Sequence, residues 1–197
     1  MRAEHGVVLA GGNASRLPGK PLAELDGRPL VAHVIAAMRD AGLAVTVVGK
    51  PGAGELEAVS VAEGAQFLVE PVQPIHALFG IATALNALKA PIVVCAVDMP
   101  FVPPALLARL AEGPGEGRDA LICAVRGQLQ PMLGWYAPAL AAGFVRAVHE
   151  GVSATGALLG LGPRMVWLGD PQLREFGDPA TMLADIDTAD ELRRANA

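Results

Sequence analysis

Arg16 and Lys20 lie in a stretch that opens on a short apolar run and a glycine pair, Val7-Val8-Leu9-Ala10-Gly11-Gly12-Asn13-Ala14-Ser15-Arg16-Leu17-Pro18-Gly19-Lys20-Pro21-Leu22. These parts suit a bound nucleoside triphosphate. Gly11 and Gly12 can take positive φ and let backbone N–H groups approach phosphate oxygens with no Cβ in the way, while Arg16 and Lys20 supply fixed positive charge. Two common phosphate loops do not fit. The Walker pattern needs Ser or Thr directly after its lysine, and Lys20 is followed by Pro21; the dinucleotide fingerprint needs a third glycine where Ser15 stands. What remains is a triphosphate held in an extended loop, or a glycine pair that only makes a tight strand-to-helix turn.

Carboxylates stand at the ends of further apolar runs. Asp98 follows Ile92-Val93-Val94-Cys95-Ala96-Val97, where a buried parallel strand emerges at the ligand edge of a sheet. There it suits magnesium, which keeps several waters and commonly takes one or two carboxylates plus substrate phosphates. The alternative is a turn former before Pro100. Glu70 ends Gln66-Phe67-Leu68-Val69 and is either a nucleotide contact or a solvated acid in a turn. As a contact it accepts from guanine N1–H and the 2-amino group together, which neither adenine nor cytosine reproduces. Asp185 and Asp187 alternate and so face one side of an extended chain, and Thr188 with Glu191 reads as the N-cap and capping box of a last helix. His76 is read at a helix N-terminus or lining a pocket rather than as an acid or base. His5, His33 and His149 lack metal-ligand spacing. Cys95 and Cys123 read as reduced core thiols that fit no zinc pattern, and Trp135 and Trp167 as core residues.

These side chains need a frame. Apolar runs of strand length alternate with segments of helical period, the pattern of a mostly parallel sheet with helices on its faces. It predicts strands over about 6–10, 44–49, 65–69, 91–97, 120–125, 131–136 and 164–168, and helices over about 29–41, 53–63, 75–89, 103–112, 138–150, 153–160 and 188–196. Pro29 and Pro104 are expected in first helical turns, and the segment 112–118 as a surface turn. In such a sheet ligands bind at the carboxyl ends of strands, so chemistry is expected in the loops after Ala10, Gly49, Glu70 and Val97. At 197 residues, one domain over 1–197 is expected, and with only 4% aromatic residues its core is built from Ala, Val and Leu. A net charge of −5 argues against a nucleic-acid polymer as partner. The N-terminus has no signal-type apolar region and no later stretch reaches about 18 uninterrupted apolar residues, so no membrane association and a cytoplasmic location are expected.

The opening resembles the signature Leu-Ala-Gly-Gly-x-x-x-Arg-Met-Gly…Lys of the nucleotidyltransferases related to molybdenum cofactor guanylyltransferase. The likeness extends over nearly the whole chain, through Leu25-Asp26-Gly27-Arg28-Pro29-Leu30, Asp98-Met99-Pro100-Phe101, Gln130-Pro131 and the closing Asp185-Ile186-Asp187-Thr188-Ala189-Asp190-Glu191-Leu192. It implies an α/β, three-layer Rossmann-like nucleotidyltransferase fold and transfer of a nucleoside monophosphate from a triphosphate to a phosphate acceptor, releasing pyrophosphate. It also implies that Leu9, Ala10, Gly11 and Gly12 contact the nucleotide, that Lys20 with Arg16 binds its phosphates, that Asp98 holds Mg2+, and that Gln130, Asp185 and Asp187 lie toward a pterin acceptor. The acceptor's own phosphate oxygen is then the nucleophile, and catalysis is positioning and electrostatics.

Departures from the pattern bear on the substrate. Glu70 stands where the family usually has aspartate; the turn between Arg16 and Lys20 is short, with Gly19 in place of an aspartate; and His76-Ala77-Leu78-Phe79-Gly80 replaces Gly-Pro-Leu-x-Gly beside the base pocket. The closing acids, usually Asn and Asn in guanylyltransferases, resemble the cytidylyltransferase branch, whereas Leu-Ala-Gly-Gly and Asp-Met-Pro resemble the guanylyl branch. The expected reaction is GMP transfer from GTP to the phosphate of molybdopterin. Other readings are a cytidylyl, cobinamide-phosphate or sugar-phosphate nucleotidyltransferase, and a non-catalytic nucleotide-binding partner of a molybdoenzyme. Transient contact with molybdoenzymes or their chaperones is compatible with either.

Overall fold

A computed structural model describes residues 1–12, 16–73 and 75–197. Ser15, which stands in the third-glycine position of the opening loop, lies outside the described residues. Strand β1 (His5–Leu9) leads into that loop, and a 3-10 turn at Lys20–Leu22 precedes a two-stranded hairpin, β2 (Glu24–Leu25) and β3 (Arg28–Pro29). Then follow α1 (Leu30–Asp40), β4 (Ala44–Gly49), α2 (Gly54–Ala62), β5 (Gln66–Val69), α3 (Ala77–Leu88), β6 (Ile92–Ala96) and α4 (Pro104–Ala111). The second half holds β7 (Ala120–Val125), β8 (Gln128–Tyr136), α5 (Ala141–His149), α6 (Ala154–Leu159), β9 (Met165–Leu168), α7 (Asp170–Leu173), α8 (Pro179–Met182) and α9 (Ala189–Ala195).

Seven strands form one sheet in the order β5-β4-β1-β6-β8-β7-β9. Neighbours are parallel except around β8, which runs antiparallel to both β6 and β7. The near-continuous apolar runs of β1, β4 and β6 follow from burial on both faces. Alternation sends Val8, Val47, Val93 and Cys95 into a core with Leu30, Val34 and Met38 of α1 and Leu106 and Leu110 of α4. Val7, Val48, Ile92 and Val94 enter the opposite core with Leu78 and Ile81 of α3 and Phe144 of α5. The result is the expected three-layer α/β arrangement, with β1 and β6 side by side at its centre.

The seven predicted strands and seven predicted helices are all present, and the differences have local causes. β8 begins at Gln128 rather than at 131 because the ladder runs through Pro131: pairing with β7 jumps from Ile122↔Gly134 to Cys123↔Gln130, a bulge that accommodates a residue without an N–H. Tyr136 Oη donates to the Pro131 carbonyl there at 2.5 Å. Pro104 opens α4 as expected, but Pro29 sits just before α1, ending β3 with an extended ψ of 142°. The β2–β3 hairpin was not predicted, although Asp26 and Gly27 at its tip, with φ of 51° and 73°, are the pair that a two-residue type I′ turn favours. Trp135 is buried, whereas Trp167 is 58% exposed on the edge strand β9, correcting its assignment to the core. Cys95 and Cys123 are buried free thiols, and burial pushes Cys123 up to about 12. Among the described residues no helix is long and apolar enough to cross a membrane.

Candidate functional site

At the carboxyl ends of β1, β5 and β6 a cleft of about 240 Å³ is lined by Leu9, Ala10, Gly12, Lys20, Glu70 and Asp98, with His76 and Gly80 of the α3 segment on one wall. The sheet creates it. β1 and β6 are neighbours, yet the chain leaves β1 toward α1 and β4 and leaves β6 in the opposite direction, which is where open α/β sheets leave a crevice.

The polar end is an ion-pair network. Gly19, at φ +70°, admits the chain to the 3-10 turn that starts at Lys20, and this turn aims Nζ inward. Lys20 Nζ donates to Asp98 Oδ2 at 2.8 Å and to Asp187 Oδ1 at 2.6 Å, and the exposed Arg16 guanidinium also pairs with Asp187. Burial pulls Lys20 down, but its hydrogen bonds to Asp187 and Asp98 outweigh that and raise its pKa. The same bond from Lys20 is the main cause that lowers Asp187. The closing segment is fastened to the Asp98 turn by Ile186 N–H donating to the Asp98 carbonyl at 2.8 Å. The Glu191 carboxylate accepts from the backbone N–H groups of Asp187 and Thr188, completing the predicted capping box. A residue from the far end of the chain is thereby fixed against the opening loop.

The other end of the cleft is built on Glu70, only 5% exposed, which is not the solvated acid of a surface turn. Its N–H donates to the Gly49 carbonyl at 2.9 Å, and its carboxylate meets Lys50 Nζ at 3.1 Å. Burial raises the Glu70 pKa and Lys50 opposes the rise. A Cβ on Gly11 would stand 1.7 Å from Glu70 Oε1, and one on Gly80 2.9 Å from Oε2. A side chain at position 11 would therefore displace the Glu70 carboxylate, and neither Gly11 nor Gly12 uses the positive φ open to glycine.

The residues expected toward the acceptor divide. Gln130 and Asp185 line a separate groove with Arg126, Gln128 and Leu183, whereas Asp187 belongs to the cation network. Asp185 is exposed along that groove, yet partial loss of hydration, with Asp98 and Asp187 nearby, pushes its carboxyl up to about 6. His76 caps α3, its Nδ1 accepting from Leu78 N–H at 3.2 Å, and lines the cleft, as its position suggested. Lys50 is the site residue missed in the sequence. Its signal was its place directly after β4, in one of the loops where ligand contacts were expected.

The molecule has known relatives. Residues 6–160 match the MobA-like NTP transferase domain family. A probable molybdenum cofactor guanylyltransferase of Geobacillus is 32% identical over 138 residues, covering 69% of this chain and 71% of that protein. A 3-deoxy-manno-octulosonate cytidylyltransferase of Rhodospirillum centenum is 44% identical over 68 residues, covering 34% of this chain and only 26% of that protein. The crystal structure of the molybdopterin-guanine dinucleotide biosynthesis protein A of Archaeoglobus fulgidus superposes with a TM-score of 0.79 at 29% identity, covering 98% of this chain and 96% of that one.

Proposed function

Because this chain belongs to the MobA-like NTP transferase family, whose members are nucleotidyltransferases, we propose that it transfers GMP from GTP to the phosphate of molybdopterin in molybdenum cofactor biosynthesis. One observation carries the reading: a single cleft is lined by Lys20 and Asp98 and by the buried acceptor Glu70, with the exposed Arg16 tied to the same network through Asp187. Its two ends suit the two ends of a guanine nucleotide. Glu70 accepts from guanine N1–H and the 2-amino group, while Leu9, Ala10, Gly11 and Gly12 pass alongside the nucleotide. Lys20 and Arg16 exchange Asp187 for phosphate oxygens. An oxygen of the acceptor phosphate attacks the α-phosphorus, forming the new P–O bond as the bond to the β-phosphate oxygen breaks. Lys20 and Arg16 offset charge on the departing pyrophosphate, and no covalent enzyme intermediate is needed.

The donor set fits a divalent cation. Asp98, Asp185 and Asp187 gather close enough that the first and last contribute to raising Asp185, a repulsion that a cation relieves. Magnesium commonly takes one or two carboxylates and completes its shell with phosphates and water. Asp98 would hold it. When bound, the ion neutralises phosphate charge and aligns the α-phosphate. Gln130 and Asp185, in the adjoining groove, face the acceptor.

The expected result with GTP, magnesium and molybdopterin is pyrophosphate release, abolished in Asp98→Asn while the thermal midpoint stays near that of the wild type. Absence of release with all four nucleoside triphosphates would sink the assignment. Cytidylyl transfer is the second reading, favoured by the Asp185 and Asp187 pair and by the cytidylyltransferase relatives; faster turnover with CTP than with GTP would establish it.

A further inference from the structure

We propose that Lys50 is a positioning residue for base selection: from outside the cleft it fixes the Glu70 carboxylate as the acceptor that reads guanine. This rests on the guanine-contact role proposed for Glu70. β4 and β5 are parallel neighbours paired to Gly49↔Val69, so Lys50 and Glu70 are the first residues past the two strand ends and emerge side by side. Lys50 Nζ spans both features of the next turn, lying 3.1 Å from Glu70 Oε1 and donating to the Pro71 carbonyl at 2.8 Å. It approaches from behind. Lys50 lines a neighbouring depression with Gly19, Pro21 and Leu22, whereas Glu70 lines the cleft itself.

The groups around Glu70 explain why a positioning cation matters. The opening loop presents Gly11 to the carboxylate, α3 presents Gly80, and the end of β4 presents Lys50, its charged partner among the described residues. Two glycines give the carboxylate space but no counter-charge. Burial favours its protonated form, and Lys50 opposes that. Only the ionised form offers acceptors on both oxygens; protonation turns one of them into a donor facing the guanine N–H groups. Selection between guanine and a base lacking the 2-amino group therefore depends on a lysine that the nucleotide does not touch.

The test compares GTP and ITP affinities, with magnesium, for the wild type, Lys50→Met, Lys50→Arg and Glu70→Gln between about pH 6 and about pH 8, alongside an NMR titration of the Glu70 carboxyl. Wild type and Lys50→Arg should prefer GTP by about tenfold or more at every pH. Lys50→Met should lose that preference as pH falls, with the Glu70 titration displaced upward; Glu70→Gln should lose it throughout. Should Lys50→Met not fold, Lys50→Gln replaces it, keeping an N–H donor without the charge. A Lys50→Met variant, or Lys50→Gln in its place, that matches wild type while Glu70→Gln loses selectivity overturns the role of Lys50 alone. So does a Lys50→Met or Lys50→Gln variant that loses preference equally at all pH values with an unmoved Glu70 titration. No preference for GTP in the wild type overturns the guanine reading of Glu70, and the role of Lys50 with it.

Discussion

Lys20 holds its charge between two carboxylates, 2.8 Å from Asp98 and 2.6 Å from Asp187, so in the free protein the proposed phosphate-binding cation is already neutralised. Its charge becomes useful when phosphate replaces Asp187. Replacing Lys20 with Met should lower kcat by about a hundredfold or more, the usual cost of losing one group aimed at developing charge, with pyrophosphate release as the readout. Asp185 gives a separate prediction for the metal-free protein. Its carboxyl moves from 3.8 in the unfolded chain to about 6 in the folded one, so across that window the native state holds more proton than the unfolded state. Stability should then fall as pH rises from about 4 to about 6, and Asp185→Asn should remove this component. Because Asp185 is exposed along its groove, solvent limits the gain to under about 1 kcal/mol, measured by urea denaturation at several pH values.

At the scale of elements, the opening loop and the β5 to α3 turn are fitted to each other through Gly11 and Glu70. A methyl group at position 11 would overlap the Glu70 carboxylate, while one at position 12 meets nothing among the described residues within 4 Å. Gly11→Ala should therefore destabilise the fold by about 1–3 kcal/mol and displace the carboxylate, whereas Gly12→Ala should leave stability near that of the wild type. Thermal denaturation of the two variants distinguishes them. A common drop would mean that both glycines serve the turn rather than the fit to Glu70. The element boundaries themselves were legible, because apolar runs and helical period depend on neighbours a few residues away. The β8 bulge was not, since the jump in pairing from Ile122↔Gly134 to Cys123↔Gln130 is set by the partner strand, and Pro131 alone does not say which partner it has.

At the scale of the whole molecule, nucleotide binding is a stability measurement. A ligand at about 100 times its Kd adds about 2.7 kcal/mol, which for a chain of this size raises the thermal midpoint by several degrees. With magnesium present, GTP should raise it more than CTP, ATP or UTP; a larger shift with CTP would favour the cytidylyl reading. The family, the three-layer α/β fold, the place of Lys20 in the opening loop and those of Asp98 and Glu70 after strand ends were all determined by the sequence, through local hydrophobic period and contiguous motifs. Tertiary structure decided what those residues meet. It brought Asp187 from the closing segment onto Lys20, placed nearby Asp185 along a different groove, buried Glu70 against Gly11, and set Lys50 beside Glu70. The physical reason is distance along the chain: periodicity reports which face of an element is buried, but pairings across 167 residues arise only when the sheet order brings their loops to one edge.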